Sequence, residues 1–164
     1  MKLRCLNGKK DALNDWAEHW INTATLSTMR PMSIRDDGPA QVVVLDRDGQ
    51  FQAELCIFRG GVVIPPHTHP SMDSIETGIA GGVRFTIDGR EMFRHLSDER
   101  LIGLGIGRGL RFNSYNVHSG TVLPCGAVFM SLQHWRGEPT SVGLDYVGHP
   151  ISEQQATWLR ALKS

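Results

Sequence analysis

Apolar side chains near the start of the chain recur with the spacing of one face of an α-helix. Residues three or four positions apart in a helix lie on the same side of it, and such a stripe is usually buried. Asp11 stands just before the stripe and is a residue type that caps helix N-termini. The pattern predicts a helix over residues 11–26 that packs its tryptophans against the rest of the protein. The apolar positions are Leu13, Trp16, Ala17, Trp20, Ile21 and Ala24.

A different period takes over between Gln41 and Trp135. Short runs rich in Val, Ile and Phe alternate with Gly, Pro and Asn, and no long helical pattern interrupts them. Asp48-Gly49 and Asp88-Gly89 lie between such runs, and Asp-Gly supplies the positive φ angles of a tight hairpin turn. About ten short strands at this density indicate an antiparallel β-sandwich or β-barrel over residues 41–135.

The remainder of the chain predicts a second, shorter helix. Residues 136–164 begin with a turn-rich tail, and Ser152 and Gln155 then form a capping box before a stripe that includes Trp158. A length of 164 residues suits one domain, so we expect residues 1–164 to form a single domain with helices outside the strands.

Composition narrows the classes of partner. The 17 Lys and Arg residues balance the 17 Asp and Glu residues, so the basic surface of a nucleic-acid or anionic-membrane binder is missing. The 3 cysteines lie far apart without a CxxC pair, which indicates reduced thiols. No apolar run has the length of a signal peptide or a membrane span. These features predict a cytoplasmic protein whose partner is a small molecule or another protein.

The glycine-rich segment GLGIGRGL, residues 103–110, does not match a dinucleotide-binding loop. That fingerprint requires a third glycine where this chain has Arg108 or Leu110, and it also requires a βαβ context. Alternating glycines in a strand favour a bend or close packing instead. We therefore expect no nucleotide cofactor.

Most candidate metal-ligating side chains lie in the stretch IPPHTHPSMDSIET, residues 64–77. His67 and His69 are two positions apart, so on an extended segment both imidazoles face the same side. Glu76 follows on a predicted strand, and His118 lies on a separate strand further along the chain. Imidazoles and carboxylates are ligands of divalent transition metals, although an isolated HxH pair is also common in surface loops. A shared metal ion requires the barrel to place these strands side by side.

The spacing of these residues resembles the two sequence motifs of the cupin superfamily. In the first motif, five residues separate a glycine from HxH, and a glutamate and another glycine follow. The second motif runs from a glycine to a histidine, which are Gly107 and His118 here, with Asn113 and Tyr115 at its proline and glycine positions and Val122 at its asparagine position. The residues that match the first motif are Gly61, His67, His69, Glu76 and either Gly81 or Gly82.

The position of the carboxylate departs from the motif. In cupins the glutamate usually follows the second histidine after three or four residues, where this chain has Asp73 and Ser74, whereas Glu76 comes after six. A two-residue insertion would restore Glu76 to the strand, so we predict Glu76 as the ligand and keep Asp73 in reserve. If neither carboxylate reaches the ion, three histidines would hold it, as in some thiol dioxygenases of this superfamily.

The resemblance implies a cupin-type antiparallel β-barrel, also called a jelly roll or double-stranded β-helix, around one divalent ion. Iron, manganese, nickel, cobalt and zinc all suit His67, His69, Glu76 and His118. We expect a dioxygenase first, with an isomerase, a lyase or a non-catalytic ligand-binding protein as alternatives. Because neutral imidazole is the ligand, metal binding should weaken below a pH of about 6.5.

Two further expectations concern the surroundings of the site. Small cupins commonly pair, so the resemblance implies a homodimer, and Ile75 and Ile79 would supply an apolar outer patch for it. Four other side chains could support the metal site, either by contacting an anionic substrate or by donating a hydrogen bond to a metal-ligating residue. They are Arg84, Arg111, Tyr115 and His134.

Overall fold

The computed structural model describes residues 2–5, 11–24, 28–36, 39–94 and 106–137. The predicted C-terminal helix with Ser152, Gln155 and Trp158 lies outside these ranges, as do Gly103 and Gly105. The elements in the described ranges are β1 (Lys2–Cys5), α1 (Ala12–Thr23), β2 (Ser33–Asp36), β3 (Ala40–Asp48), β4 (Phe51–Phe58), β5 (Val63–His67), β6 (Met72–Ile87), β7 (Arg90–Arg94), β8 (Ile106–Phe112) and β9 (His118–Trp135).

The strands form one sheet in the order β1-β8-β6-β9-β4-β3-β2, and β5 and β7 pair with β9 and β6 respectively. The pairings from β2 onward are antiparallel, as the sequence predicts. β1 is different, because it runs parallel to β8. β1 and β2 also precede Gln41, where no strand was expected, and no hydrogen-bonded pairing closes the sheet between them in the described ranges.

Both predicted Asp-Gly hairpins are present. Gly49 has a φ of 55° in the turn that joins β3 to β4. Asp88 and Gly89 have φ values of 47° and 77° and form the two-residue turn between β6 and β7. Two successive positive φ angles match the right-handed twist of paired strands, and Asp-Gly adopts them at low cost. These turns confirm the local part of the sequence prediction.

β6 and β9 are longer than the sequence pattern indicated. The sequence predicts short strands in this region, but these two are continuous over 16 and 18 residues. Their mutual pairing is irregular near Gly81, which has a φ of 67°. A Cβ atom at Gly81 would lie 2.0 Å from the carbonyl oxygen of Gly126, so glycine allows the two strands to approach closely where they bend.

Helix α1 packs on the outer face of the sheet, as the apolar stripe predicts. Leu13, Ala17 and Trp20 are buried, and the indole nitrogen Nε1 of Trp20 donates a hydrogen bond of 2.8 Å to Asp46. The helix ends at Thr23 rather than at residue 26. The buried sheet residues in the same cluster are Val43, Leu45, Ala53, Ile75, Met130 and Leu132.

Asp11 joins the start of α1 to the sheet. Its side chain accepts a hydrogen bond of 3.3 Å from the backbone nitrogen of Asn14, as an N-cap does. The same carboxylate accepts two hydrogen bonds from Arg111 on β8, at 3.0 Å from Nη1 and 2.6 Å from Nη2. Arg111 is only 2% exposed, so this ion pair lies under the helix.

The predicted apolar patch for dimerisation is wrong. Ile75 does face away from Glu76, but it is 0% exposed because α1 covers it. Ile79 is partly buried against the same cluster. Since these side chains are not free for a second subunit, the homodimer stays a prediction that depends on the family resemblance.

No helix within the described ranges is long and apolar enough to cross a membrane. Cys56 and Cys125 form no disulfide bond with any residue that the structure describes.

Candidate metal centre

Strand pairing places two of the predicted histidines opposite each other. His67 ends β5 and pairs with His118, the first residue of β9. The pairing is irregular between Ile64 and His67, where Pro65 and Pro66 have no backbone N–H to donate. β9 continues on its other side into the ladder with β6, where His118 pairs with Ile87. Two neighbouring strands therefore fix the backbone positions of both imidazoles.

His69 completes the group two residues beyond the strand. Its carbonyl accepts a 3.1 Å hydrogen bond from Met72, which closes the turn into β6. Its Nε2 atom lies 3.0 Å from Nε2 of His67 and 3.0 Å from Nε2 of His118. All three imidazoles are buried, and one ligand atom from each lies within 4.8 Å of the others. The structure thus brings together the three histidines that the sequence singles out.

Backbone carbonyls determine which ring nitrogens carry protons. Nδ1 of His67 lies 2.7 Å from the carbonyl oxygen of Pro65, and Nδ1 of His118 lies 3.1 Å from that of Asn116. Since a carbonyl can only accept, each Nδ1 is the donor and each Nε2 presents a lone pair. A backbone acceptor on the remote nitrogen is the usual partner of a metal-ligating histidine.

Burial also keeps these imidazoles neutral. It lowers the pKa of His67 to about 3, and the neighbouring His118 adds to the shift. Burial likewise lowers the pKa of His118 to about 3, with a smaller contribution from His69. Competition from protons at these two residues therefore begins well below the pH of about 6.5 expected from the sequence, because that value belongs to an exposed imidazole.

The spacing of the nitrogens suits a six-coordinate metal ion. Two nitrogens that lie about 2.1 Å from one ion are about 3.0 Å apart at a right angle and about 3.4 Å apart at a tetrahedral angle. Both distances from His69 Nε2 are 3.0 Å. Nε2 of His67 and Nε2 of His118 present lone pairs toward Nε2 of His69, so the donor set fits a divalent transition metal.

Glu76 lines the same cavity, but its oxygens are not grouped with the three nitrogens. Oε1 accepts a 2.8 Å hydrogen bond from the hydroxyl of Ser131. Oε2 is buried without a hydrogen-bond partner. Burial raises the pKa of Glu76 to about 7, with a smaller contribution from the charge of Glu54, while serine hydroxyls oppose the shift. Oε2 is therefore the atom through which this carboxyl group can meet an ion or a ligand.

A second buried carboxylate lies further along the same cavity wall. Glu54 on β4 is 3% exposed and accepts a 2.8 Å hydrogen bond from Nε2 of Gln133 on β9. The same nitrogen donates at 3.0 Å to Ser131, whose hydroxyl proton goes to Glu76. The sequence analysis missed Glu54, Ser131 and Gln133. Their only signal was the alternation of polar with apolar residues in QAEL and SLQHW.

Two side chains that can only donate fix the direction of this network. The indole of Trp135 donates at 2.9 Å to Oε1 of Gln133, so the amide nitrogen of Gln133 must be the group that points toward Ser131. Arg47 donates to Oε1 of Gln52, so the amide nitrogen of Gln52 donates in turn, at 3.2 Å to Gln133. Gln52 and Gln133 therefore both donate to Glu54, and Ser131 donates to Glu76.

Asp73, the reserve ligand, lies outside the cavity. One of its oxygens accepts a 2.8 Å hydrogen bond from the backbone nitrogen of Ser114. Arg111 and Arg136 lie 3.8 Å and 3.9 Å from its carboxylate. Asp73 faces opposite to Ser74 and Glu76 on β6, and its partners connect the sheet to the loop before His118.

The two arginines considered for an anionic substrate do not line the cavity. Arg84 is about half exposed, and its Nε lies 3.8 Å from Glu91 on the neighbouring strand β7. Arg111 points to the outer face, where Asp11 holds it. Both positions alternate with cavity-facing positions in their strands, so their side chains are directed away from the histidines.

Tyr115 and His134 also lie away from the site. Tyr115 is 78% exposed, and the guanidinium of Arg136 lies 5.4 Å from the centre of its ring. The ring of His134 stacks on Phe51 at 4.5 Å, on the face that carries α1. His134 is therefore not placed to hydrogen-bond a metal-ligating residue, although its position in β9 had suggested this role.

Comparison with known proteins identifies relatives by structure alone. No family model matches the sequence, and no curated protein matches it. KdgF from Halomonas sp. is similar with a TM-score of 0.53 and 17% identity, over 65% of this chain and 88% of that one. An RmlC-like cupin from Shewanella frigidimarina has a TM-score of 0.51 and 16% identity, over 68% and 87%. The cupin domain of Schizosaccharomyces pombe Cnp3 has a TM-score of 0.50 and 12% identity, over 68% and 71%.

Proposed function

We propose that this chain, which has the cupin fold, binds one divalent transition metal ion and acts as an enzyme on a small molecule. The ligands would be His67, His69 and His118, with Glu76 as the fourth. The observation that carries the proposal is the convergence of three buried imidazoles, in which Nε2 of His69 lies 3.0 Å from Nε2 of His67 and 3.0 Å from Nε2 of His118. Nε2 of His67 and Nε2 of His118 both present lone pairs toward this point, and a cation there would compensate the cost of burying them.

The unpartnered oxygen of Glu76 supports its inclusion. A buried carboxyl group without a hydrogen-bond partner on Oε2 is costly, and its raised pKa of about 7 reflects that cost. A cation in the cavity would stabilise the ionised form and pair with Oε2. Ser131 would meanwhile hold Oε1 and fix the rotation of the carboxylate.

Among the candidate reactions we favour a dioxygenase. The right-angle spacing of the nitrogens supports a six-coordinate ion such as iron, manganese, cobalt or nickel over tetrahedral zinc. Bound ferrous iron would supply open positions where a substrate and O₂ meet. The protein's own contribution would be to hold three neutral imidazoles in place and to exclude water with the phenylalanines that line the cavity.

Metal analysis tests the proposal most directly. The protein should be purified without a histidine tag and without added metal, and its metal content should be measured per chain. We expect about one transition metal ion for each chain. Iron would support the dioxygenase, whereas zinc or nickel would favour an isomerase, a lyase or a ligand-binding protein. Less than about a tenth of an equivalent, before and after incubation with ferrous, manganous or zinc ions, would contradict the metal site itself.

A further inference from the structure

The cavity beside the histidines has an aromatic wall. Starting at His118, ring centroids follow one another at 4.3 Å to Phe112, 5.5 Å to Phe85, 6.5 Å to Phe129 and 5.5 Å to Phe58. Ala40, Val42, Ile64 and Met72 add aliphatic surface to the same lining. A molecule in this cavity would therefore touch hydrocarbon over much of its surface.

The opposite wall is polar, but its groups already bond to one another. Glu54 and Gln133, and Ser131 and Glu76, are joined by hydrogen bonds of 2.8 Å. A 3.0 Å bond between Gln133 and Ser131 connects the two pairs. This wall offers a bound molecule few free donors, and its two acidic side chains disfavour a negative charge nearby.

No lysine or arginine lines the cavity in the part of the chain that the structure describes. Arg111 is directed to Asp11 and Arg84 to Glu91, while Arg47 bonds to Gln52 and does not line the cavity. A carboxylate or phosphate group of a ligand would thus leave water without meeting a cationic side chain. Such a transfer is costly, because a buried charge requires a partner close by.

We propose that the cavity takes a small uncharged molecule that has an apolar body and one polar group, and that it rejects carboxylates and phosphates. The apolar body lies on the phenylalanine wall and the polar group faces the histidine end. A cavity volume of about 90 Å³ limits the ligand to a single ring or a short chain. The inference deepens the proposed function, because it names the substrate class of the proposed metal site.

Three probes with one carbon skeleton test the inference: benzyl alcohol, benzoate and benzylammonium. Their dissociation constants should be measured by calorimetry on both the metal-loaded and the metal-free protein. We expect benzyl alcohol to bind the metal-free protein at least about tenfold more tightly than either ion, since only the ions lose the hydration of a full charge there. Benzoate binding as tightly as benzyl alcohol would overturn the inference. So would the absence of measurable binding of benzyl alcohol to both forms.

Matched substitutions show whether the probe occupies this cavity. Phe129→Leu removes a ring from the cavity wall, and Phe51→Leu makes the same change on the outer face, where Phe51 stacks on Trp16. We expect Phe129→Leu to weaken benzyl alcohol binding about fivefold and Phe51→Leu to leave it within about twofold. Phe58→Leu, at a half-buried position of the same wall, replaces Phe129→Leu if that variant does not fold. Equal effects of the wall and outer-face substitutions would overturn the assignment.

The test separates this inference from the metal site on which it depends. A protein that takes up no metal but prefers the uncharged probe would contradict the proposed function and support the description of the cavity. A protein that takes up one ion per chain but binds benzoate preferentially would support the metal site and contradict the substrate class.

Discussion

Both faces of strands β6 and β9 are buried. One face packs against helix α1, and the other lines the cavity. On one face Ile75 and Leu132 meet Trp20 of helix α1, and the cluster is entirely apolar. On the other face their sequence neighbours Glu76 and Ser131 line a cavity and bond to each other. The same strands therefore carry an apolar packing surface and a polar site one residue apart.

The difference shows that burial alone does not distinguish packing from function. Apolar burial on the α1 face stabilises the fold in proportion to the area removed from water. Polar burial on the cavity face costs free energy at each group that lacks a partner. Under the proposed function, a bound metal ion or ligand would offset this cost on the cavity face, whereas the α1 face needs neither. Substitutions on the two faces should separate stability from metal binding.

The largest effect is expected on the α1 face. Trp20 is 5% exposed, so Trp20→Ala should lower the free energy of unfolding by about 3 to 5 kcal/mol, through lost contacts and a cavity. Urea denaturation measures this change, and the metal content of the folded protein should stay the same. His19→Ala, at an exposed position of the same helix, is the control and should change stability by less than about 0.5 kcal/mol. Unchanged stability in Trp20→Ala would mean that the stripe does not hold the helix in place.

Substitution of a histidine of the metal site should lower metal affinity and leave the protein folded. His69→Ala or His118→Ala should weaken metal binding at least about 100-fold, or about 2.7 kcal/mol, because each removes one ligand nitrogen. Competition with a chelator measures the affinity, and circular dichroism should show that the strands are retained. Full metal occupancy in a triple alanine variant of His67, His69 and His118 would show that these residues are not metal ligands.

The pH dependence of the metal-free protein should reflect the cavity face. Lowered pKa values of about 3 at His67 and His118 mean that the unfolded state binds more protons below pH 6.5, so stability falls as the pH decreases from 6.5. The raised pKa of Glu76, about 7, has the opposite sign and lowers stability as the pH rises from 4.5 to 7. Two histidines outweigh one glutamate, so stability should rise with pH between 4.5 and 6.5.

Urea denaturation between pH 4.5 and 8 checks this profile, which should have its maximum near pH 6.5. Glu76→Gln should remove the decrease above that maximum. A flat profile in the metal-free protein would contradict the burial of all three groups.

A smaller effect on metal affinity is expected from a substitution in the hydrogen-bond network that holds Glu76 through Ser131. Gln133→Leu is nearly isosteric but removes the amide that donates to Glu54 and Ser131. We expect metal affinity to fall about tenfold, as is usual when a group that orients a ligand is lost. Leu132→Val, one residue away on the α1 face, should lower stability by about 1 kcal/mol and leave metal affinity unchanged. Equal metal affinities for the two variants would show that the network does not orient Glu76.

The smallest effect should come from Asp73. Its carboxylate bonds to Ser114 outside the cavity, so Asp73→Asn should leave metal content within about twofold of the unsubstituted protein. Glu76→Gln should reduce metal content far more, because it replaces the charged oxygen inside the cavity. If Asp73→Asn empties the site and Glu76→Gln does not, the choice of carboxylate is wrong.

The sequence predicted those parts of the fold that depend on neighbouring residues. Asp88 and Gly89 form their hairpin because the required φ angles are local properties of those residues. The helix after Asp11 begins where its cap and apolar stripe indicate. The parallel pairing of β1 with β8 could not be predicted, because the pairing of strands distant in sequence leaves no local pattern.

The candidate site was predicted in part for a related reason. His67, His69 and His118 stand out because metal-ligating residue types at family spacing are rare by chance. Ser131 and Gln133 alternate with Leu132, a pattern that normally means polar residues in solvent and apolar residues in the core. Here the helix covers the apolar side and the cavity encloses the polar side, so alternation alone assigns the faces wrongly. Only the three-dimensional packing shows that both sides are buried.

Asp11 links the detachment of helix α1 from the sheet to the unwinding of that helix. Its carboxylate caps α1 and also holds Arg111 of β8, so one residue both begins the helix and fixes that end of it to the sheet. Detachment and unwinding should therefore form one cooperative step in local unfolding. The amide hydrogens of α1 would then exchange with solvent as a group, at the rate at which the helix leaves the sheet, rather than progressively from a frayed end.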